Sequence, residues 1–155
     1  MDRASKSNRR KKMPPTYLLG AMVLMAALHF LLPLARMLRW PLCAVGLTPL
    51  AAGVILNLWA DRDFKRIGNP VKPFEESTGL ITDGTFRVSR HPMYLGMALI
   101  LLGMALLMGS VGALLPVPLF LLVMEKAFVV EEERMLARQF GDYWKRYRAG
   151  TRRWL

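Results

Sequence analysis

MYLGMALILLGMALLMGSVGALLPVPLFLLVM, residues Met93–Met124, runs for 32 residues without a charge. A helix needs about 20 apolar residues to cross a bilayer core of about 30 Å. As one helix, this stretch would reach roughly 48 Å, too long for one crossing. Gly109, Ser110 and Gly112 lie near its middle and read as a tight turn. The stretch therefore predicts a hairpin with arms Met93–Met108 and Val111–Val130. Pro116 and Pro118 lie in the second arm, and Glu125 and Lys126 interrupt its end.

Two further uncharged runs precede it, Tyr17–Ala35 and Leu42–Ala60, each of 19 residues. Of the whole chain, 54% is hydrophobic, in only 155 residues. The expectation is an all-α integral membrane protein with four main transmembrane helices. Basic residues support that count. With four crossings and a cytoplasmic N-terminus, only Arg36 and Arg39 fall outside, and the other twenty of 22 face the cytoplasm. With three crossings the eight basic residues of the tail would be misplaced, against the positive-inside rule. The net charge of +11 then matches anionic lipid, and no nucleic-acid motif accompanies it.

Residues 1–13 read as a basic, disordered segment, and 14–155 as a single membrane domain. The link Asp61–His91 carries turn signals at Asn69-Pro70, Pro73 and Gly79. Glu75–Gly79 reads as a loop, and Leu80–Phe86 as an extended piece turning at Asp83-Gly84. With an amphipathic C-terminal helix, this loop before the third helix would form a cytoplasmic cap. The tail helix shows Leu136, Phe140, Tyr143 or Trp144, and Tyr147 at helical spacing. These aromatics fit either an interfacial helix or one that only holds the bundle.

Chemistry is scarce along the chain. There is no GxGxxG, P-loop or HExxH. Cys43 is the single cysteine and the histidines are His29 and His91, so no metal site is expected. His29 inside the first crossing is either functional or a hydrogen-bond partner for a neighbouring helix. FRVSRHPMYLG, Phe86–Gly96, sets Arg87, Arg90, His91, Pro92 and Tyr94 at the edge of the hairpin. Pro92 suits a first helical turn, and the unpaired N–H groups there can hold an anion. The stretch is either a membrane-edge anchor or half of a binding site. Glu131-Glu132-Glu133 follows the fourth crossing, and Glu125 lies seven residues before Glu132, on one helix face. A carboxylate there could pair with Arg87 or Arg90, or receive a ligand's amino group. Together with the helix start at His91, it could grip both charges of an amino acid moiety.

SRHPMYLG followed by EERMLARQFGDYWKRY resembles the membrane methyltransferases that include isoprenylcysteine carboxyl methyltransferases and phospholipid N-methyltransferases. The resemblance covers about Asp61 to the end. It implies S-adenosylmethionine as methyl donor. It carries donor binding onto His91, Pro92, Met93 and Tyr94, onto Leu80, Ile81 and Phe86, and onto Glu132 and its neighbour Glu133. Arg90 and Gly96 would shape the site, and Glu125 would be the base if the acceptor is a protonated amine. The implied acceptor is lipophilic and membrane-borne, with no nucleic acid and no obligate protein partner. The implied location is multi-pass in a bacterial inner membrane, both termini cytoplasmic. In the isoprenylcysteine enzymes an arginine one turn before the paired glutamates holds the substrate carboxylate. Here Phe128 occupies that position, so the acceptor class stays open between a carboxylate, a phospholipid amine and a small hydrophobic thiol or acid. The rival readings are an NADPH-dependent membrane reductase of related architecture and a non-enzymatic membrane protein.

Overall fold

The computed structural model describes residues 13–31, 36–68 and 79–155. The expected N-terminal segment and the loop signals from Asn69 to Thr78 fall outside the described residues. Among the described residues six α-helices follow in order: α1 (Pro14–Leu31), α2 (Leu47–Ile67), α3 (Pro92–Met108), α4 (Val111–Leu114), α5 (Pro116–Met124) and α6 (Val130–Gly150). A 3₁₀ turn, Leu42–Gly46, leads into α2, and a π turn, Glu125–Val129, joins α5 to α6. Among the described residues there is no strand. Three segments are long and apolar enough to cross a membrane: Pro14–Leu31, Leu42–Arg66 and Val111–Gly150. The fourth apolar helix, α3, has 17 residues.

α3 is the centre of the molecule. It is apolar on all sides, and such a helix is stable only when surrounded. Tyr94, Leu95, Met97, Ala98, Leu101 and Ala105 are all buried in it. Its closest neighbour is α2, and glycine permits the approach. A Cβ on Gly53 would lie 2.5 Å from the Gly96 carbonyl oxygen, and one on Gly46 would lie 2.5 Å from that of Gly103. These pairs recur every seven residues, two helical turns, so one stripe of each helix touches backbone to backbone.

The hairpin turn falls where the glycines predict it. α3 stops at Gly109, whose left-handed φ of 65° glycine adopts without strain. Ser110 then caps α4, its hydroxyl accepting from the Ala113 N–H at 3.3 Å. That hydroxyl's own proton can go to His29 Nδ1, 2.8 Å away on α1. His29 therefore does what a lone histidine in a crossing most simply does, and ties two helices together. Pro116 costs no helical hydrogen bond, because it opens α5.

Two boundaries differ from expectation. The second crossing does not end at Ala60 but continues as helix to Ile67, so the link starts at Gly68. Asp61 and Lys65 pair four residues apart at 2.5 Å, and Gly68 caps the end at φ 69°. Asp83 is extended as expected and the chain turns at Gly84, but the turn is a 3₁₀ turn, Gly84–Arg87, that takes in Thr85 and Phe86 as well. Asp63 drives this, because its Oδ2 accepts from the Thr85 N–H at 3.0 Å and from Thr85 Oγ1 at 2.8 Å. The amphipathic tail helix forms, but Gly141 breaks it at φ 52°, ψ −120°. Beyond that break Trp144 is buried and Tyr147 half-buried. Both pack towards the 86–90 segment, Tyr147 donating to the Phe86 carbonyl at 2.7 Å and Trp144 lying under Arg90, so they help to hold the bundle.

Candidate functional site

Pro92 opens α3, and His91 precedes it as the capping residue. The His91 N–H donates to Ser89 Oγ at 3.2 Å, which turns the imidazole inward. His91 stacks on Tyr94 with ring centroids 5.8 Å apart and 12° between planes. One helical turn of spacing thus puts an imidazole and a phenol side by side on the buried face of α3.

α6 supplies the opposing charges. Tyr94 donates its hydroxyl proton to Glu132 Oε1 at 2.5 Å. His91 Nδ1 lies 3.5 Å from Glu132 Oε2, and Nε2 lies 3.5 Å from Glu133 Oε1. Arg90 Nη2 pairs with Glu133 Oε1 at 3.0 Å. Burial opposes a charge on His91, but the carboxylates of Glu132 and Glu133 outweigh it and raise its pKa above the ordinary 6.5. His91 Nε2 and Arg90 Nε are buried without a hydrogen bond in good geometry, so the cluster keeps unspent polar capacity.

Of the residues singled out in the sequence, Arg90, His91, Tyr94, Glu132 and Glu133 come together in one cluster. Glu125 reaches it through an arginine. The π turn changes its register, because one extra residue in the turn rotates everything before it. Glu125 consequently shares a face with Glu133, not with Glu132 as a regular helix implies. Both carboxylates meet Arg153, at 2.7 Å each. Pro92 is buried at the helix start and Met93 is half-buried beside it. Gly96 serves the packing of α2 on α3, since a Cβ there would lie 2.7 Å from the Asn57 amide nitrogen. Phe86 turns its ring edge-on to Phe64 of α2 at 5.3 Å, Ile81 is buried and Leu80 half-buried. These three line the polypeptide that leads to the cluster.

Sequence reasoning missed Ser89, Trp144 and Arg153. Arg153 Nε and Nη2 donate to the two oxygens of Glu133 at 3.2 and 2.7 Å. Arg90 stands 5.9 Å over the Trp144 ring. The sequence signal for Arg153 is the basic end TRRWL, and for Trp144 its place in the helical pattern of the tail; neither points to a partner near His91.

Phe128, at the position where the arginine is absent, is fully buried. Its ring meets Tyr17 of α1 at 5.3 Å and Tyr94 at 6.2 Å. On the far side of Tyr17, α1 and α5 part to leave an apolar groove of about 280 Å³. Tyr17, Gly20 and Leu24 form one wall, and Pro116, Leu119 and Val123 the other. The groove and the polar cluster are thus joined by three aromatic rings in sequence.

The profile of the phospholipid methyltransferase family matches residues 42–143, about two thirds of the chain. An uncharacterised protein of Haemophilus influenzae is 43% identical over 63 residues, which are 41% of this chain and all of that protein. The protein-S-isoprenylcysteine O-methyltransferase of Schizosaccharomyces pombe is 39% identical over 72 residues, 44% of this chain and 29% of that enzyme. The chain therefore aligns with under a third of that enzyme's length. No solved structure matches.

Proposed function

The chain belongs to the phospholipid methyltransferase family, and we propose that it moves a methyl group from S-adenosylmethionine to a lipophilic acceptor at the cytoplasmic membrane face. In this reading α3 completes a bundle of four crossings, with both termini on the cytoplasmic side. The observation that carries the proposal is the meeting of His91 and Tyr94 with Glu132, a carboxylate 38 residues from Tyr94 in sequence.

The residues present suit such a donor. Glu125, Glu132 and Glu133 outnumber Arg90 and Arg153, so with His91 neutral the cluster has one negative charge to spare for a cation, and with His91 protonated it has none. Among the described residues no arginine pairs with Glu132. Glu132 would hold the donor's ammonium group, with Tyr94 aiming its carboxylate. His91 and the N–H groups at the start of α3 would face the donor's carboxylate or ribose. Leu80, Ile81 and Phe86 would offer apolar contact to the adenine. When bound, the donor supplies an electrophilic methyl on a sulfonium. Burial of His91, Tyr94 and Glu133 limits water around that charge and favours its neutralisation as the methyl leaves. Aligning nucleophile and methyl within about 3–3.5 Å is the remaining task. Glu125 would serve as base only for an amine acceptor, and its pairing with Arg153 favours acceptors that need no base.

The apolar groove beside Tyr17 supports a lipophilic acceptor, and the name of the Schizosaccharomyces pombe relative suggests an isoprenylcysteine-like one. A phospholipid amine is the alternative that the family as a whole supports. The test is calorimetric titration of S-adenosylmethionine and S-adenosylhomocysteine into the protein in detergent with added lipid. Micromolar binding that is lost in Glu132→Ala and in His91→Ala supports the reading. A folded protein that binds neither compound sinks it, and NADPH is then the ligand to try.

A further inference from the structure

The donor reading gives Glu132 a task and leaves Glu133 without one. Yet Glu133 is the more heavily contacted of the two. It is buried and receives Arg90 Nη2 at 3.0 Å, Arg153 Nε at 3.2 Å and Arg153 Nη2 at 2.7 Å. Such a fork-to-carboxylate pair fixes a side chain in orientation as well as in charge.

Arg153 is delivered there by its main chain. Ser89 Oγ donates to the Arg153 carbonyl at 3.0 Å, and the Arg90 N–H donates to the Arg152 carbonyl at 3.0 Å. Arg90 Nη1 donates to the carbonyls of Arg148 and Thr151, each at 3.0 Å. The tail is therefore stitched to the segment before α3 by contacts that do not involve the Arg153 guanidinium. Its side chain, 30% exposed, is left to act on Glu133 and Glu125. Between them Arg90 and Arg153 engage those two carboxylates and leave Glu132 without an arginine.

We propose that Arg153 is a positioning residue of the methyl-donor site. It holds Glu133 toward Arg90 and His91, and so keeps Glu132 as the carboxylate that receives the donor's ammonium. This inference rests on the donor reading above. Without Arg153, Glu133 could swing toward the same cation or claim the His91 proton, and the two glutamates would no longer have distinct roles.

The experiment is titration of S-adenosylmethionine into the full chain, as parent, Arg153→Ala and Arg153→Lys, across a pH series. Arg153→Ala is expected to bind about 10-fold more weakly, as for a lost charged hydrogen bond. Its acid limb should move to higher pH, because the remaining carboxylates lose a nearby cation and hold protons more tightly. Arg153→Lys keeps the charge but not the fork, and should fall between the two. Millimolar guanidinium chloride should partly restore Arg153→Ala where equal sodium chloride does not. A purely structural role would lower thermal stability and leave the pH profile in place. If the parent binds and Arg153→Ala binds equally with an unmoved acid limb, this inference fails and the donor reading stands. If the parent does not bind, both fail. Should Arg153→Ala not fold, Arg153→Lys decides: affinity and pH profile equal to the parent's would overturn the assignment.

Discussion

His29 and His91 each lie at a helix end in an apolar chain, and they are put to opposite uses. His29 has one partner, Ser110 Oγ at 2.8 Å. That single bond joins α1 to the hairpin turn. His91 lies among Glu132, Glu133, Arg90 and Tyr94, with one ring nitrogen lacking a good hydrogen bond. A structural site satisfies its polar groups and stops there. The second site holds several charges in a buried place, which is costly unless they are paired or serve a ligand. The contrast separates a histidine that fastens helices from one that belongs to a site.

The strongest way to break the contrast is at Glu132. Glu132→Ala should weaken S-adenosylmethionine binding by about 100-fold, since it removes a charged partner from a buried cluster. Calorimetry reads this directly, and parent-like affinity would reduce the His91 region to a second fastening. Tyr94→Phe removes only the hydroxyl that aims Glu132 and keeps the stacked ring. It should cost about 10-fold in donor affinity, in the range of one hydrogen bond to a charged group.

The groove offers a sharper separation. Gly20 faces open space, with nothing within 4 Å of an added Cβ. Gly20→Trp should fill the groove, raise the Michaelis constant for a lipophilic acceptor several-fold and leave donor binding as in the parent. Equal kinetics on every acceptor tested would show that the groove holds ordinary lipid.

A graded effect is expected with pH. The pKa of His91 is raised in the fold, so its contribution is fully present below about 6.5 and is lost as pH rises through the folded value. The melting temperature in detergent should fall across that window, and His91→Gln should flatten the slope. A flat parent profile would mean that Glu132 and Glu133 do not hold the proton. The smallest effect belongs to the other histidine. His29→Ala and Ser110→Ala should each destabilise the fold by about 1 kcal/mol, and the double variant by little more than either, with donor affinity unchanged.

Much of this architecture was legible in the chain because it rests on near neighbours. Uncharged runs announce membrane helices. Gly109 and Ser110 announce a turn, and Pro92 a helix start, since each acts on its own backbone. The pairing of RHPMY with the glutamates was legible through family likeness, and the structure places Tyr94 on Glu132.

What only the tertiary structure decided lies in contacts that no spacing encodes. The π turn at Glu125–Val129 has no signature in its residues, yet it moves Glu125 from the face of Glu132 to that of Glu133. Arg153 reaches Glu133 across 20 residues because Ser89 and Arg90 hold its main chain. Asp63 folds the Thr85 turn from 22 residues away, and with it the approach to His91. Periodicity and turn chemistry act within a few residues, so the sequence determined the helices and the hairpin. The charge partners come from the segment before α3, from the π turn and α6, and from the tail beyond it, and they exist only once packing has brought those parts together.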